Sequence, residues 1–351
     1  MFKASFEKRD LVFNFPAKTS RGALSTHTAY ILRIENTETN LTGIGEAAPL
    51  TGLSLDDRPD FEHWVSDFCQ KVPSLRTEKD LLASVNVTEL PALFFAVEAA
   101  LKDLQNGGKR LYFDNPFTKG ISTIPVNGLV WMSDTERMLA QAVEKVENGF
   151  CCIKIKIGAE KYDDELKIIQ TLRKKFGDKL SIRTDANGAF DFGQAKKVLK
   201  DLKKYEVHSV EQPIKPENWD EMSELCAANI VPIALDEELI GIFDGQSKFS
   251  LLEYIMPQFI ILKPTLLGGI AQTLSWVKMA KPLKIGFWLT SALESNVGLN
   301  IIAQLTGEIF QSEKNIIPQG LGTGGLYENN FPSMLNLTAG EMRFIPENIS
   351  I

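Results

Sequence analysis

The chain has 351 residues, 44% of them hydrophobic and 24% charged, with a formal net charge of −7. These values suit one large globular domain or two smaller ones and exclude extended disorder and collagen-like repeats. The acidic balance leaves no electrostatic footprint for nucleic acid or an anionic membrane surface. No apolar run reaches membrane-spanning length and the first residues, Met1 to Glu7, lack a signal-peptide core, so a cytoplasmic location is expected. The four cysteines show no C-x-x-C spacing and read as reduced packing residues. The three histidines, His27, His63 and His208, fall in no metal-binding or triad pattern.

Residues 11–15, 29–34 and 42–47 alternate as antiparallel strands, with a polar turn at residues 36–40. Between the first two lies a basic loop, residues 16–22, which reads as a solvated turn, with a lid over an anionic ligand as the alternative. A second loop, residues 49–54, carries Leu50 and Leu53 where a plain surface turn would be polar. Residues 60–107 change to helical spacing, ended by Gly107 and Gly108. Residues 1–115 are therefore expected to form an α+β capping domain, completed by the tail, residues 336–351.

Residues 116–335 alternate strand and amphipathic helix. Strand candidates are residues 124–130, 152–157, 180–187, 207–214, 231–237, 259–264 and 285–291, with a weaker eighth at 315–319. A capping box at Ser133-Asp134-Thr135-Glu136 opens the first helix between them. Crossover helices require parallel pairing, and eight such units match a (β/α) barrel better than an open doubly wound sheet.

Within the second strand, Cys-Cys-Ile-Lys-Ile-Lys-Ile-Gly places Lys154 and Lys156 on one face of an apolar run. Lysine is seldom buried without a counter-charge. Taking the polar residue nearest each strand's C-terminal end gives Lys156, Asp185, Glu211, Asp236, Lys263 and Ser291, one every 25 to 29 residues. That interval is one βα unit, so all six are expected on the rim where barrel active sites are built. Singly, each has a plainer reading: Asp185 could pair with Arg183, Glu211 and Asp236 could be helix-start acids, and Lys263 a strand end. Jointly those readings require the period to be coincidence. Three carboxylates on adjacent strands suit a hard, octahedral divalent cation. A bound dication and neighbouring ammonium groups are expected to lower the pKa of a lysine acting as base.

Lys154-x-Lys156, Asp185-x-Asn187, Glu211-Gln212-Pro213, Asp236-Glu237 and Lys263-Pro264, in this order and phase, resemble the enolase superfamily, muconate-lactonizing subgroup. The resemblance implies a modified (β/α)7β TIM-like barrel with an α+β cap. It also implies Mg²⁺, with Mn²⁺ as a substitute, on Asp185, Glu211 and Asp236, with Glu237 behind the third ligand. The shared step is removal of a proton α to a carboxylate, with the enediolate held by the metal. Within the subgroup, residues 291–298 and 319–324 resemble the branch that dehydrates 2-succinyl-6-hydroxy-2,4-cyclohexadiene-1-carboxylate on the way to menaquinone. There Lys156 would be the base, Lys263 a cation over the opposite ring face and Lys154 an aid at the carboxylate. Arg183, Asn187, Ser291 and Gly320 would meet the substrate, the last two through backbone amides. The expected partner is a small anionic carboxylate.

Three alternatives stay open. Gly320-Leu321-Gly322-Thr323-Gly324-Gly325 formally fits G-x-G-x-x-G, but no helix pattern follows it. Epimerization or racemization in the same subgroup would use Lys156 and Lys263 as paired acid and base. Dipeptide epimerases carry Asp-x-Asp at the last strand, where this chain has Gln319-Gly320-Leu321-Gly322, so an N-succinylamino acid is the better rival substrate. A catalytically inactive scaffold barrel is the alternative of another class.

Overall fold

The computed structural model describes residues 1–19, 22–158 and 162–346. Ser20 and Arg21 of the basic loop and the last five residues of the tail lie outside them. The cap begins with β1 (Phe2–Thr19), β2 (Gly22–Asn36) and β3 (Leu41–Ala47), an antiparallel sheet in chain order. Its helices are α1 (Phe61–Lys71), the short α2 (Glu78–Ala83) and α3 (Pro91–Gln105). α3 lies directly on β3. A Cβ at Gly43 would stand 1.8 Å from Ala100 O and one at Gly45 1.9 Å from Ala96 O, so only glycine allows this approach.

The expected first barrel strand is divided. β4 (Ile124–Pro125) turns away, and β5 (Gly128–Val130) enters the barrel. Then follow α4 (Thr135–Glu147), β6 (Cys152–Lys156), α5 (Tyr162–Phe176), β7 (Ser181–Asp185), α6 (Phe192–Lys203), β8 (Ser209–Glu211), α7 (Trp219–Ala228) and β9 (Ile233–Leu235). The series continues through α8 (Gly245–Ile255), β10 (Phe259–Leu262), the single turn α9 (Pro264–Leu267), α10 (Ile270–Ala280), β11 (Gly286–Leu289) and α11 (Asn296–Ile309). The order β11-β10-β9-β8-β7-β6-β5 is parallel throughout, as crossover helices demand. The cap on α4 sits one residue later than the capping box would place it: Asp134, in extended conformation, accepts from Arg137 N.

No strand forms at residues 315–319. Pro318 has no N–H for a ladder, and the barrel closes instead through two residues. Gln319 bridges Val126 and Gly320 bridges Thr290. Gln319 N donates to Pro125 O at 2.8 Å, Asn127 N to Gln319 O at 2.9 Å, and Gly320 N to Leu289 O at 2.8 Å. The Gln319 side chain completes this seam, its Oε1 accepting from Leu289 N at 2.8 Å.

The tail corrects one expectation. β12 (Leu335–Thr338) and β13 (Glu341–Phe344) form a small sheet with β4, and Met342 and Phe344 join the barrel core. Their apolar faces meet the barrel rather than the cap sheet, so the described part of the tail does not complete the cap. The cap is fastened by two carboxylates, Glu46 buried and Glu98 partly so, that take the first amides of barrel helices. Glu98 of α3 accepts from Ile270 N at 2.5 Å and Ala271 N at 2.9 Å, and Glu46 of β3 accepts from Ser295 N at 2.8 Å and Gly298 N at 2.7 Å. A shared apolar cluster, including Leu11, Phe13, Val297 and Tyr327, fills the space beside Glu46.

Candidate active site at the barrel mouth

Period two along β6 aims Lys154 and Lys156 inward at successive heights, and the registers Lys154↔Arg183, Lys156↔Asp185 and Asp185↔Glu211 align the neighbouring strands. Asp236 follows β9 and Lys263 follows β10, so the four charged positions after Lys156 occupy consecutive strand ends. Lys154 Nζ donates to Glu211 Oε1 at 2.7 Å and lies 3.0 Å from Asp185 Oδ2. Lys156 Nζ donates to the same Asp185 oxygen at 3.0 Å and to Asn187 Oδ1 at 2.5 Å. Lys263 Nζ donates to Asp236 Oδ2.

These contacts set the charges. Burial raises the Glu211 carboxyl above the usual range, and the charges of Asp185 and Asp236 add to it against Lys154. Burial also opposes ionisation of Asp185, but Lys154, Lys156 and Lys263 outweigh it and hold that carboxyl far below the usual range. Burial likewise pulls Lys154 and Lys263 down, yet the surrounding carboxylates, Asp185 and Glu211 for the first and Asp236 and Glu211 for the second, hold both above the ordinary lysine value. At these two positions the facing carboxylates outweigh burial, and at Lys263 they also outweigh the nearby Lys154 cation.

Asn187 orients Lys156, the less buried member of the lysine pair. It sits in left-handed backbone, φ 44°, a conformation Asn tolerates, and its N–H donates to Asp185 Oδ1 at 3.1 Å. Its Nδ2 donates to Glu237 Oε1 at 3.0 Å, so Glu237 supports Asn187, and through it Lys156, as well as following Asp236 in the chain. Gln212, also at positive φ, holds the Asp236 backbone by accepting from its N–H at 3.1 Å.

Lys154, Lys156, Asp185, Asn187, Lys263, Ser291 and Gly320 line one open cavity, whose empty space, solvent at its mouth included, is about 750 Å³. Glu211 and Asp236 lie beneath the lysines. Arg183 is not at the cavity: two residues before Asp185 it points into the layer below, donates to Pro318 O at 2.7 Å and stacks 3.9 Å over the Trp288 ring. Ser291 and Gly320 are present but spent. Ser291 Oγ donates to Glu294 Oε2 at 2.6 Å, Ser291 N to Gly320 O, and Gly320 N to Leu289 O, so those amides build the seam and are not free for a carboxylate. Leu50 and Leu53, from the apolar loop after β3, form the roof with Leu293. Trp131, Asn127 and Thr290 also line the cavity and were not singled out by sequence. Trp131 follows a strand end directly, the one signal that could have marked it.

Among the described residues no three His, Cys, Asp or Glu side chains are already gathered as a cation cage. The donor set nonetheless fits a hard divalent ion: it is all oxygen, comes from three adjacent strands, and includes Glu211 Oε2, buried with no hydrogen-bond partner.

A family model described as Enolase C-terminal domain-like matches residues 137–344. The o-succinylbenzoate synthase of Desulfotalea psychrophila is 40% identical over 364 aligned residues, covering 96% of this chain and 97% of that protein. A solved structure of MenC from Desulfotalea psychrophila LSv54 superimposes with a TM-score of 0.85 at 36% identity, covering 97% of this chain and 99% of that one. The chloromuconate cycloisomerase of Pseudomonas putida is 30% identical over 62% of this chain and 60% of its own length. The L-Ala-D/L-Glu epimerase of Bacillus subtilis shares the fold, with a TM-score of 0.80 at 21% identity over 97% of this chain and 95% of that one. Members of this superfamily are generally dependent on a divalent metal. With its parallel barrel, antiparallel cap and rim of lysines and carboxylates, the chain belongs to the enolase superfamily, in the Enolase C-terminal domain-like family.

Proposed function

We propose that the protein is a lyase with o-succinylbenzoate synthase activity, dehydrating 2-succinyl-6-hydroxy-2,4-cyclohexadiene-1-carboxylate in menaquinone biosynthesis. The observation that carries the reaction class is that Lys156 and Lys263 line one cavity from strands separated by β7, β8 and β9, the strands that bring Asp185, Glu211 and Asp236 between them. The choice of substrate rests on the near-full-length likeness to the Desulfotalea psychrophila enzyme.

Lys156, held toward the cavity by Asp185 and Asn187, takes the proton from the carbon bearing the carboxylate, and the electron pair passes into that carboxylate. The ring C–O bond then breaks, and the same ammonium returns the proton to the departing hydroxyl, releasing water and an aromatic ring. Lys263, kept cationic by Asp236, faces the other side of the ring. Lys154 holds Asp185 and Glu211 in place and adds positive charge at the carboxylate. Asp185, Glu211 and Asp236 would hold Mg²⁺, or Mn²⁺ in its place, which when bound supplies positive charge to the substrate carboxylate. Leu50, Leu53, Leu129 and Trp131 offer apolar walls to the ring.

Absorbance-monitored dehydration of the cyclohexadiene acid, with EDTA and Lys156→Ala as controls, tests this. No turnover by the wild type sinks the substrate assignment and full turnover by Lys156→Ala sinks the mechanism. Two lysines on opposite walls also suit racemization of an N-succinylamino acid, which solvent deuterium entering at the α-carbon would reveal. A dipeptide substrate is disfavoured, because residues 319–322 offer its ammonium no carboxylate.

A further inference from the structure

The barrel seam is flanked by two side-chain oxygens that lack a hydrogen-bond partner. Asn127, just before β5, joins the seam through its backbone N–H, and the residue is 3% exposed with Oδ1 buried and unpartnered. Thr290, just after β11, bridges Gly320, and its Oγ1 is likewise buried without a partner. Both residues line the cavity. An unmade buried hydrogen bond costs about 1–3 kcal/mol, so a ligand atom that reaches these two groups from the cavity would be stabilised there.

Their place in the barrel says which part of a ligand they meet. β8 is the middle strand of seven, so the seam lies on the wall opposite Glu211. A carboxylate drawn to the Asp185–Glu211–Asp236 side therefore sends the rest of its molecule toward the seam, past the apolar Leu129 and Trp131. Gly320 keeps that end open: a Cβ there would stand 2.4 Å from Thr290 Oγ1.

We propose that Asn127 and Thr290 are positioning residues that form a second polar subsite, holding a side-chain oxygen of the substrate, ketone or carboxylate, remote from the carbon that loses its proton. Thr290 donates its O–H to this oxygen, and the Asn127 amide, turned about χ2, presents an N–H to the same point. The subsite rests on the proposed reaction and deepens it, since it selects an acid with a second oxygen function over a simple aromatic acid.

The test is titration of o-succinylbenzoate and of benzoate, in Mg²⁺, into the wild type, Asn127→Ala, Thr290→Val and Thr290→Ser, with KM and kcat measured alongside. The expected result is that Asn127→Ala and Thr290→Val each weaken o-succinylbenzoate binding and raise KM about tenfold, the worth of one hydrogen bond. Benzoate affinity and kcat should stay within about threefold of the wild type, and Thr290→Ser should restore binding. Parallel weakening of both ligands, unchanged affinity in both variants, or no wild-type preference for o-succinylbenzoate overturns the subsite. A wild type that prefers o-succinylbenzoate but does not dehydrate the cyclohexadiene acid overturns the reaction instead; loss of that preference in the variants then supports the subsite independently.

Discussion

Lys154 and Lys156 meet at one oxygen: each Nζ lies 3.0 Å from Asp185 Oδ2. The two are not equivalent, because Lys154 spends its remaining contact on buried Glu211 while Lys156 turns to Asn187. The side chain of Lys156 is 16% exposed against 8% for Lys154. Both line the cavity, but Lys154 is chiefly a counter-charge to two buried carboxylates, while Lys156 is the more exposed and is oriented by its bond to Asn187.

Replacing them should separate these roles. Lys156→Ala should lower kcat by about 10²–10⁴-fold, the usual worth of a general base, with little change in melting temperature. Lys154→Met leaves Asp185 and Glu211 without their shared cation and should cost about 3–5 kcal/mol of stability. Steady-state kinetics and thermal melts on the two variants check this. Equal loss of rate with equal stability would refute the division.

The carboxylate trio gives a metal prediction with a readout besides activity. A ligand that binds only the folded state stabilises it by about 2.7 kcal/mol at a hundred times its Kd. Mg²⁺ should therefore raise the melting temperature of the wild type and EDTA should reverse the rise. Glu211→Gln should abolish the Mg²⁺-dependent shift while preserving the apo melting transition. A Glu211→Gln protein that responds to Mg²⁺ like the wild type would remove Glu211 from the ligand set.

What was legible in the sequence follows from period. Lys156, Asp185, Glu211, Asp236 and Lys263 recur once per βα unit, and the same interval implied the barrel that carries them. Ser291 keeps the phase, but counting cannot show that its backbone N–H is taken by Gly320 O. The resemblance implies Arg183 at the substrate, whereas strand alternation puts it one layer below Asp185. The eighth strand failed at Pro318, where a side-chain amide from Gln319 does the work of a ladder. Asn127 and Thr290 were invisible because their significance lies in lacking partners, a property of packing and not of spacing.

Packing within the cap depends on two glycines, Gly43 and Gly45, where β3 meets α3. A Cβ at Gly43 would meet backbone, Ala100 O at 1.8 Å, which cannot rotate aside as a side chain would. Gly43→Ala should force α3 off β3 and cost at least the ~1–3 kcal/mol typical of overpacking. Urea denaturation should show a lower midpoint, whereas Gly177→Ala, where nothing lies within 4 Å but φ is +67°, should show only the smaller backbone penalty. A Gly43→Ala midpoint equal to that of the wild type would mean the helix and strand separate freely.

The two carboxylates that fasten the cap should make stability depend on pH. Burial pushes Glu46 up to about 7, against the hydrogen bonds from Ser295 and Gly298 and with a contribution from Glu294; burial pushes Glu98 up to about 7 as well. An acid whose folded pKa is raised keeps its proton longer when folded. Its contribution is most favourable below the unfolded value near 4.5, declines as pH rises toward 7, and is lost above. At about 1.36 kcal/mol per unit, each of these glutamates would lower stability by roughly 3 kcal/mol across that window. Glu46→Gln removes one titration but also loses acceptors for Gly298 N and the Ser295 hydroxyl, so its absolute stability is not the readout. The slope is: between pH 4.5 and 7.5 the melting temperature of the wild type should fall more steeply than that of Glu46→Gln, and parallel curves would mean that Glu46 ionises in the folded protein as it does in the unfolded chain.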